Sequence, residues 1–232
     1  MNTNTLEIQE LVTGGDLDAV PAASIIVLHG LGADGSDFVP IAQELDLTAV
    51  GPVRFVFPSA PVRPVTVNGG YAMRAWYDIY PPSGDPAVPR AEDEPGLRAS
   101  QALVQQLIDR EVSRGVAADR IVLMGFSQGC AMTLLAGLRS PVRLAGLVAL
   151  SGYLPLASGT ANECSDAGRP VSVFLAHGEQ DAVVALERGE AARDVLIDLG
   201  YAVQWRTYPM GHEVCGPEIH DINDWLLRTL MA

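Results

Sequence analysis

The chain has 232 residues, 48% of them apolar by type, which is ample material for the core of one large α/β domain. Its 28 acidic residues against 15 basic ones leave a formal charge of −13, and that argues against nucleic acid or an anionic membrane surface as partner, since polyanions attract clustered Lys and Arg. Three cysteines, Cys130, Cys164 and Cys215, make neither a Cys-x-x-Cys pair nor an even disulfide set, as suits a reducing compartment.

The start, MNTNTLEIQELV, lacks the basic region and apolar stretch of a secretory leader, and no run approaches about 18 consecutive apolar residues. The expected address is therefore the cytoplasm, without stable membrane insertion. Residues 24–28 read as the first central strand and end at a glycine-rich loop, HGLGADG at 29–35. A helical pattern over 38–45 follows, then a strand over 53–57 stopped by Pro58. Residues 61–95 hold many prolines, Gly69-Gly70 and the aromatics Tyr71, Trp76, Tyr77 and Tyr80 without a helical period, so they read as a long loop forming one wall of a substrate pocket.

Residues 96–114 are the clearest helix, with Ala99, Leu103, Val104, Leu107, Ile108 and Val112 on its apolar stripe. Strands over 121–124, 145–150, 171–176 and 201–208 alternate with helices over 128–138, 187–199 and 218–230, and Gly200 acts as a C-terminal stop. Strands alternating with helices imply a mostly parallel central sheet covered on both faces, with residues 1–232 as a single domain.

The pentapeptide Gly125-Phe126-Ser127-Gln128-Gly129 lies between a strand and a helix, the context that turns a G-x-S-x-G string into a nucleophile turn. Ser127 is the candidate nucleophile, and it needs a base near neutrality, which is histidine's range. His29 precedes it in a glycine loop, His177 ends a strand and His220 falls inside the last helix. His212, in Pro209-Met210-Gly211-His212-Glu213 between the last strand and last helix, can reach over the sheet edge and is the expected base. Its far nitrogen needs a carboxylate. Asp181, just past the strand over 171–176, fits best, with Glu179 as the nearest competitor and Asp194 and Asp198 on a helix.

Attack on an acyl carbon also requires fixed donors for the oxyanion. The amide of Gln128, at the start of the helix, supplies one, and the 29–35 loop the other, through the amide of Leu31. The alternative for that loop, a phosphate cradle, lacks both G-x-G-x-x-G and a P-loop lysine. Cys215 near His212 has no second ligand at zinc spacing, so no metal and no cofactor are expected. The loop acids Glu92-Asp93-Glu94 read as solvated surface.

Taken together, HGLGADG at 29–35, FPSAP at 57–61, MRAWYDI at 73–79, GFSQGC at 125–130, LSGYLPL at 150–156, HGEQDAVV at 177–184 and YPMGH at 208–212 resemble the carboxylesterase, lysophospholipase and acyl-protein thioesterase group of the α/β-hydrolases. The order Ser127, Asp181, His212 is also that fold's order. The resemblance implies a cofactor-independent serine esterase cleaving small to medium acyl esters through an acyl-enzyme, with thioesters or lysophospholipids as alternative substrates. It further implies an acyl channel lined near Trp76, Tyr153 and Val183, and a homodimer. A different class, a non-catalytic ligand-binding protein on the same fold, is allowed by fold analogy alone.

Overall fold

The computed structural model describes residues 6–15, 20–84, 91–169 and 171–232. At the centre of the sheet the fully buried run β2 (Ala23–Leu28) pairs in parallel with β3 (Val53–Ser59) on one side and β6 (Ile121–Phe126) on the other. Beyond β6 the sheet continues in parallel through β7 (Gly146–Leu150), β8 (Ser172–Gly178) and β9 (Ala202–Tyr208). At the opposite edge β1 (Glu7–Thr13) runs antiparallel to β3, which gives the order β1-β3-β2-β6-β7-β8-β9.

Both faces are covered, which is why the inner strands read as continuous apolar runs. Successive residues still part between two layers. Ile26, Leu28, Leu123 and Leu147 pack with α2 (Glu94–Ser113), α3 (Gln128–Leu138) and α5 (Leu186–Asp198), whereas Ile25, Val27, Val122 and Val148 pack with α1 (Val39–Glu44) and α6 (Gly216–Leu230). Because the central strands are parallel, their C-terminal ends all open onto the same edge, where the connecting loops can meet.

Five points of the sequence reading need correction. The edge strand β1 is absent from the sequence reading, and β3 continues through Pro58 to Ser59, because pairing with β2 ends at Ile26 and Val56, so the missing proline N–H breaks no rung on that side. The 61–95 segment is more than a loop. It carries an antiparallel hairpin, β4 (Val62–Val65) and β5 (Tyr71–Arg74), turned by a 3-10 segment at Thr66–Asn68 and left-handed glycines at 69 and 70. Its residues 85–90 lie outside the described ones. A short helix, α4 (Ala157–Glu163), follows β7.

Finally, α2 starts at Glu94, capped by the Asp93 side chain on the Gly96 amide, and its buried stripe is Leu97, Ser100, Val104, Leu107, Ile108 and Glu111, with Val112 exposed. The rotation has a polar cause. Glu111 is fully buried, accepting from Arg54 (2.9 Å) and Ser24 (3.0 Å) on one oxygen and from Arg114 (2.9 Å) on the other.

Candidate active site

Ser127 occupies the one-residue bend between β6 and α3 with φ 56° and ψ −114°, a left-handed conformation rare for a side-chain-bearing residue. Two glycines make the bend possible. A Cβ on Gly125 would stand 2.2 Å from the Gly129 carbonyl oxygen, and one on Gly129 would stand 1.9 Å from that of Leu28. Beneath the bend, α3 is buried along its whole length, so the serine rests on a rigid platform. The thiol of Cys130, also fully buried, is pushed well above its usual range by that burial and stays inert.

Two loops from the neighbouring strand ends complete the arrangement. The 177–184 turn after β8 is laced to the 208–212 turn after β9 by Glu179 N–H to Tyr208 O (2.8 Å) and Gln180 N–H to Met210 O (3.0 Å). This brings His212 between the other two groups: its Nε2 accepts from Ser127 Oγ at 2.9 Å, and its Nδ1 donates to Asp181 Oδ2 at 2.7 Å. The ring of Phe126, 4.7 Å away centroid to centroid, packs on the imidazole. Glu179, the competing acid, instead accepts from Thr207 Oγ1.

Burial alone would raise the Asp181 carboxyl. The His212 bond and the amides of Val184 and Val183 outweigh it and hold the group below the usual carboxylate range. A second imidazole supports this turn. Buried His177 donates from Nε2 to Val184 O (2.8 Å), holding from its carbonyl side the residue whose amide serves Asp181, and the same nitrogen lies 3.4 Å from Asp181 Oδ2. His220 is exposed on α6, 3.7 Å from Asp224, far from this chemistry in role.

Leu31 and Gln128, the expected oxyanion donors, both line the cavity at Ser127. Gln128 is the first residue of α3, so its amide has no intrahelical acceptor. The direction of the Leu31 amide is set one residue earlier. His29 Nδ1–H donates to Gly30 O at 2.7 Å, while His29 Nε2 accepts the Ala60 amide at 2.9 Å. In a trans peptide the C=O and the next N–H point in opposite directions, so anchoring Gly30 O also fixes the orientation of the Leu31 N–H. Burial keeps His29 below the ordinary imidazole range, and hence neutral, as its acceptor role at Nε2 requires.

A cavity of about 480 Å³ opens above Ser127, lined among others by Leu31, Val67, Tyr77, Ile79, Phe126, Tyr153 and Val183. Of the three channel residues expected, Tyr153 and Val183 line it and Trp76 does not. Trp76 is fully buried behind the wall, where its indole N–H donates to His29 O (3.0 Å) and its amide to Gln128 Oε1 (2.7 Å). The bulk that suggests a pocket residue is used to brace the 29–35 loop. Tyr77 takes the wall position, its hydroxyl 2.7 Å from that of Tyr153. Among the described residues, no cluster of three His, Cys, Asp or Glu is arranged to hold a metal.

A family model described as phospholipase/carboxylesterase matches residues 17–230. The chain belongs to that family. Members of the phospholipase/carboxylesterase family similar to it include acyl-protein thioesterase 1 of Neurospora crassa, 41% identical over 213 residues and 90% of this chain against 87% of that one. Carboxylesterase SOBER1 of Arabidopsis thaliana is 32% identical over 89% of this chain and 90% of its own. The crystal structure of SOBER1 superposes with a TM-score of 0.83 over 90% of this chain and 99% of that chain. Acyl-protein thioesterase 2 of Zea mays gives 0.80 at 29% identity, over 96% and 99%. The fold is thus the α/β-hydrolase fold, and the chain is a hydrolase of the phospholipase/carboxylesterase family.

Sequence reasoning missed several residues at this site. His29 and His177 were weighed only as bases, yet both sit in His-Gly pairs at strand ends, a placement that suits a ring hydrogen-bonded to its own loop. The Gln128 side chain, which clamps Trp76 N–H and Tyr77 O, carries no such signal.

Proposed function

We propose that the chain hydrolyses carboxylic esters or thioesters of small to medium acyl groups through an acyl-enzyme on Ser127. The observation that carries this reading is the single imidazole of His212 bonded to Ser127 on one side and to Asp181 on the other. His212 takes the serine proton as the hydroxyl attacks, and Asp181 holds the ring in the required tautomer and stabilises its charge. The oxygen of the tetrahedral intermediate rests on the Leu31 and Gln128 amides. His212 then protonates the leaving alcohol or thiol, and a water it deprotonates releases the acid. Residues 1–232 act as one catalytic domain, with Tyr153 and Val183 in the acyl-binding wall.

Thioester cleavage is a second reading of the same site, favoured by the fungal relatives named acyl-protein thioesterase. The triad does not read the leaving group, so the ratio of kcat/KM for an ester and a thioester of one acyl group separates the two. Ser127→Ala should abolish the acyl-enzyme burst and fluorophosphonate labelling while the fold persists. Full turnover of an activated aryl ester by that variant would remove Ser127 from the mechanism.

A further inference from the structure

One side chain at the Ser127 cavity has no part in the chemistry above. Arg188 lines that cavity and also, with Tyr77, Ile79 and Tyr153, an adjoining outer cavity of about 350 Å³. Its guanidinium carbon lies 3.5 Å above the centroid of the Tyr153 ring, whose hydroxyl is pinned by Tyr77. A guanidinium stacked on a ring keeps its in-plane N–H groups available for an acceptor. Among the described residues Arg188 holds no carboxylate, although the chain has 28 acidic residues and Arg54, Arg98, Arg114 and Arg139 each hold one. Helix stability does not explain the position either. Arg188 stands in the first turn of α5, where the macrodipole disfavours a cation, and the N-cap residue Ala185 makes no side-chain cap. The acids of the outer cavity are directed to backbone amides and not to Arg188, and keep their charge: Asp78 accepts from Thr66, Glu92 from Leu156, and Asp93 from Gly96 and Asp78.

We propose that Arg188 is a specificity-determining residue that binds an oxyanion, a carboxylate or phosphate, carried by the ester or thioester substrate. The α5 N-terminus and the guanidinium act in the same direction, attracting negative charge to the wall facing Ser127. The proposal rests on the serine-hydrolase reading of the site.

The test uses three esters of one acyl length and one leaving group, ending in a methyl, a carboxylate or a phosphate, assayed on the wild type, R188Q and R188K. The wild type should favour a charged end over methyl in kcat/KM, more so at low salt, and whichever charged ester leads identifies the oxyanion. R188Q should lower that charged-to-methyl ratio at least tenfold, through KM, and R188K should restore part of it. An equal ratio in wild type and R188Q, or selection against both charged ends by the wild type, overturns the proposal. Ser127→Ala run beside them keeps the two readings apart: persistence of its turnover sinks the serine mechanism, whereas the ratio alone decides Arg188.

Discussion

Asp181 and Glu218 are both carboxylates with fully buried side chains, one in the turn after β8 and the other in the first turn of α6, yet their protonation is opposite. Asp181 is met by two backbone amides and the His212 ring, and it stays ionised below the usual range. Glu218 has no side-chain donor and only the Cys215 amide as a counterweight, and burial, with Asp221 adding to the effect, pushes its carboxyl up to about 8. The comparison separates two things often merged. Burial raises a carboxyl in both places, and the supply of donors decides whether the charge survives. Glu111, buried as deeply, belongs with Asp181 because two arginines and a serine serve it.

The comparison can be broken most sharply at Asp181. Asp181→Asn keeps the shape but donates where it should accept, so His212 adopts the wrong tautomer and kcat should fall about 10⁴-fold. A burst assay with an activated aryl ester measures this, and a loss below about tenfold would detach Asp181 from the imidazole's function. Next in size, Glu111→Ala removes the buried carboxylate that Arg54, whose side chain is 3% exposed, holds at 2.9 Å, together with the acceptor of Ser24 and Arg114. Unfolding free energy in urea should drop by about 3–5 kcal/mol, and native molecules should keep their ester selectivity.

Glu218→Gln sharpens the contrast. The wild-type carboxyl holds its proton in the folded chain to about pH 8 and releases it near 4.5 when unfolded, so folded molecules bind more protons in between. Stability therefore falls as pH rises through that window, by up to a few kcal/mol, and levels off above it. The glutamine variant should lack this decline, read as a difference in Tm between wild type and variant at pH 5 and pH 8; parallel curves would deny that Glu218 is neutral. The smallest effect is expected at His177. His177→Phe leaves Val184 O without its donor and loosens the Asp181 turn, lowering kcat about tenfold at unchanged KM.

What the sequence disclosed follows the same physics. Inner strands such as 121–124 and 145–150 were legible because a parallel sheet buried on both faces demands unbroken apolar runs. β1 was not, since an edge strand carries Glu7, Gln9 and Glu10 among its seven residues and shows no such run. The β4–β5 hairpin is masked by Pro64, and α4, ASGTANE, has no apolar period at all. At the site, chain order and loop position pointed to Ser127, Asp181 and His212, because each of them lies in the turn that follows a strand. Trp76 was misjudged, because size and proximity to a motif do not say on which side of a wall a ring lies. Val112 was misplaced for the related reason that a buried Glu111 turned its helix.

The grip of Gln128 on the 61–95 segment bears on how substrates come and go. Its side chain spans from the nucleophile bend to both the amide of Trp76 and the carbonyl of Tyr77, entirely out of solvent. Wall and bend are thereby fastened into one unit, so this stretch of wall does not swing aside like a gate. Under the proposed function, substrate should reach Ser127 past Val67 and Val183, which line the cavity, and the Trp76 amide should exchange its hydrogen with deuterated solvent only as fast as the whole molecule unfolds.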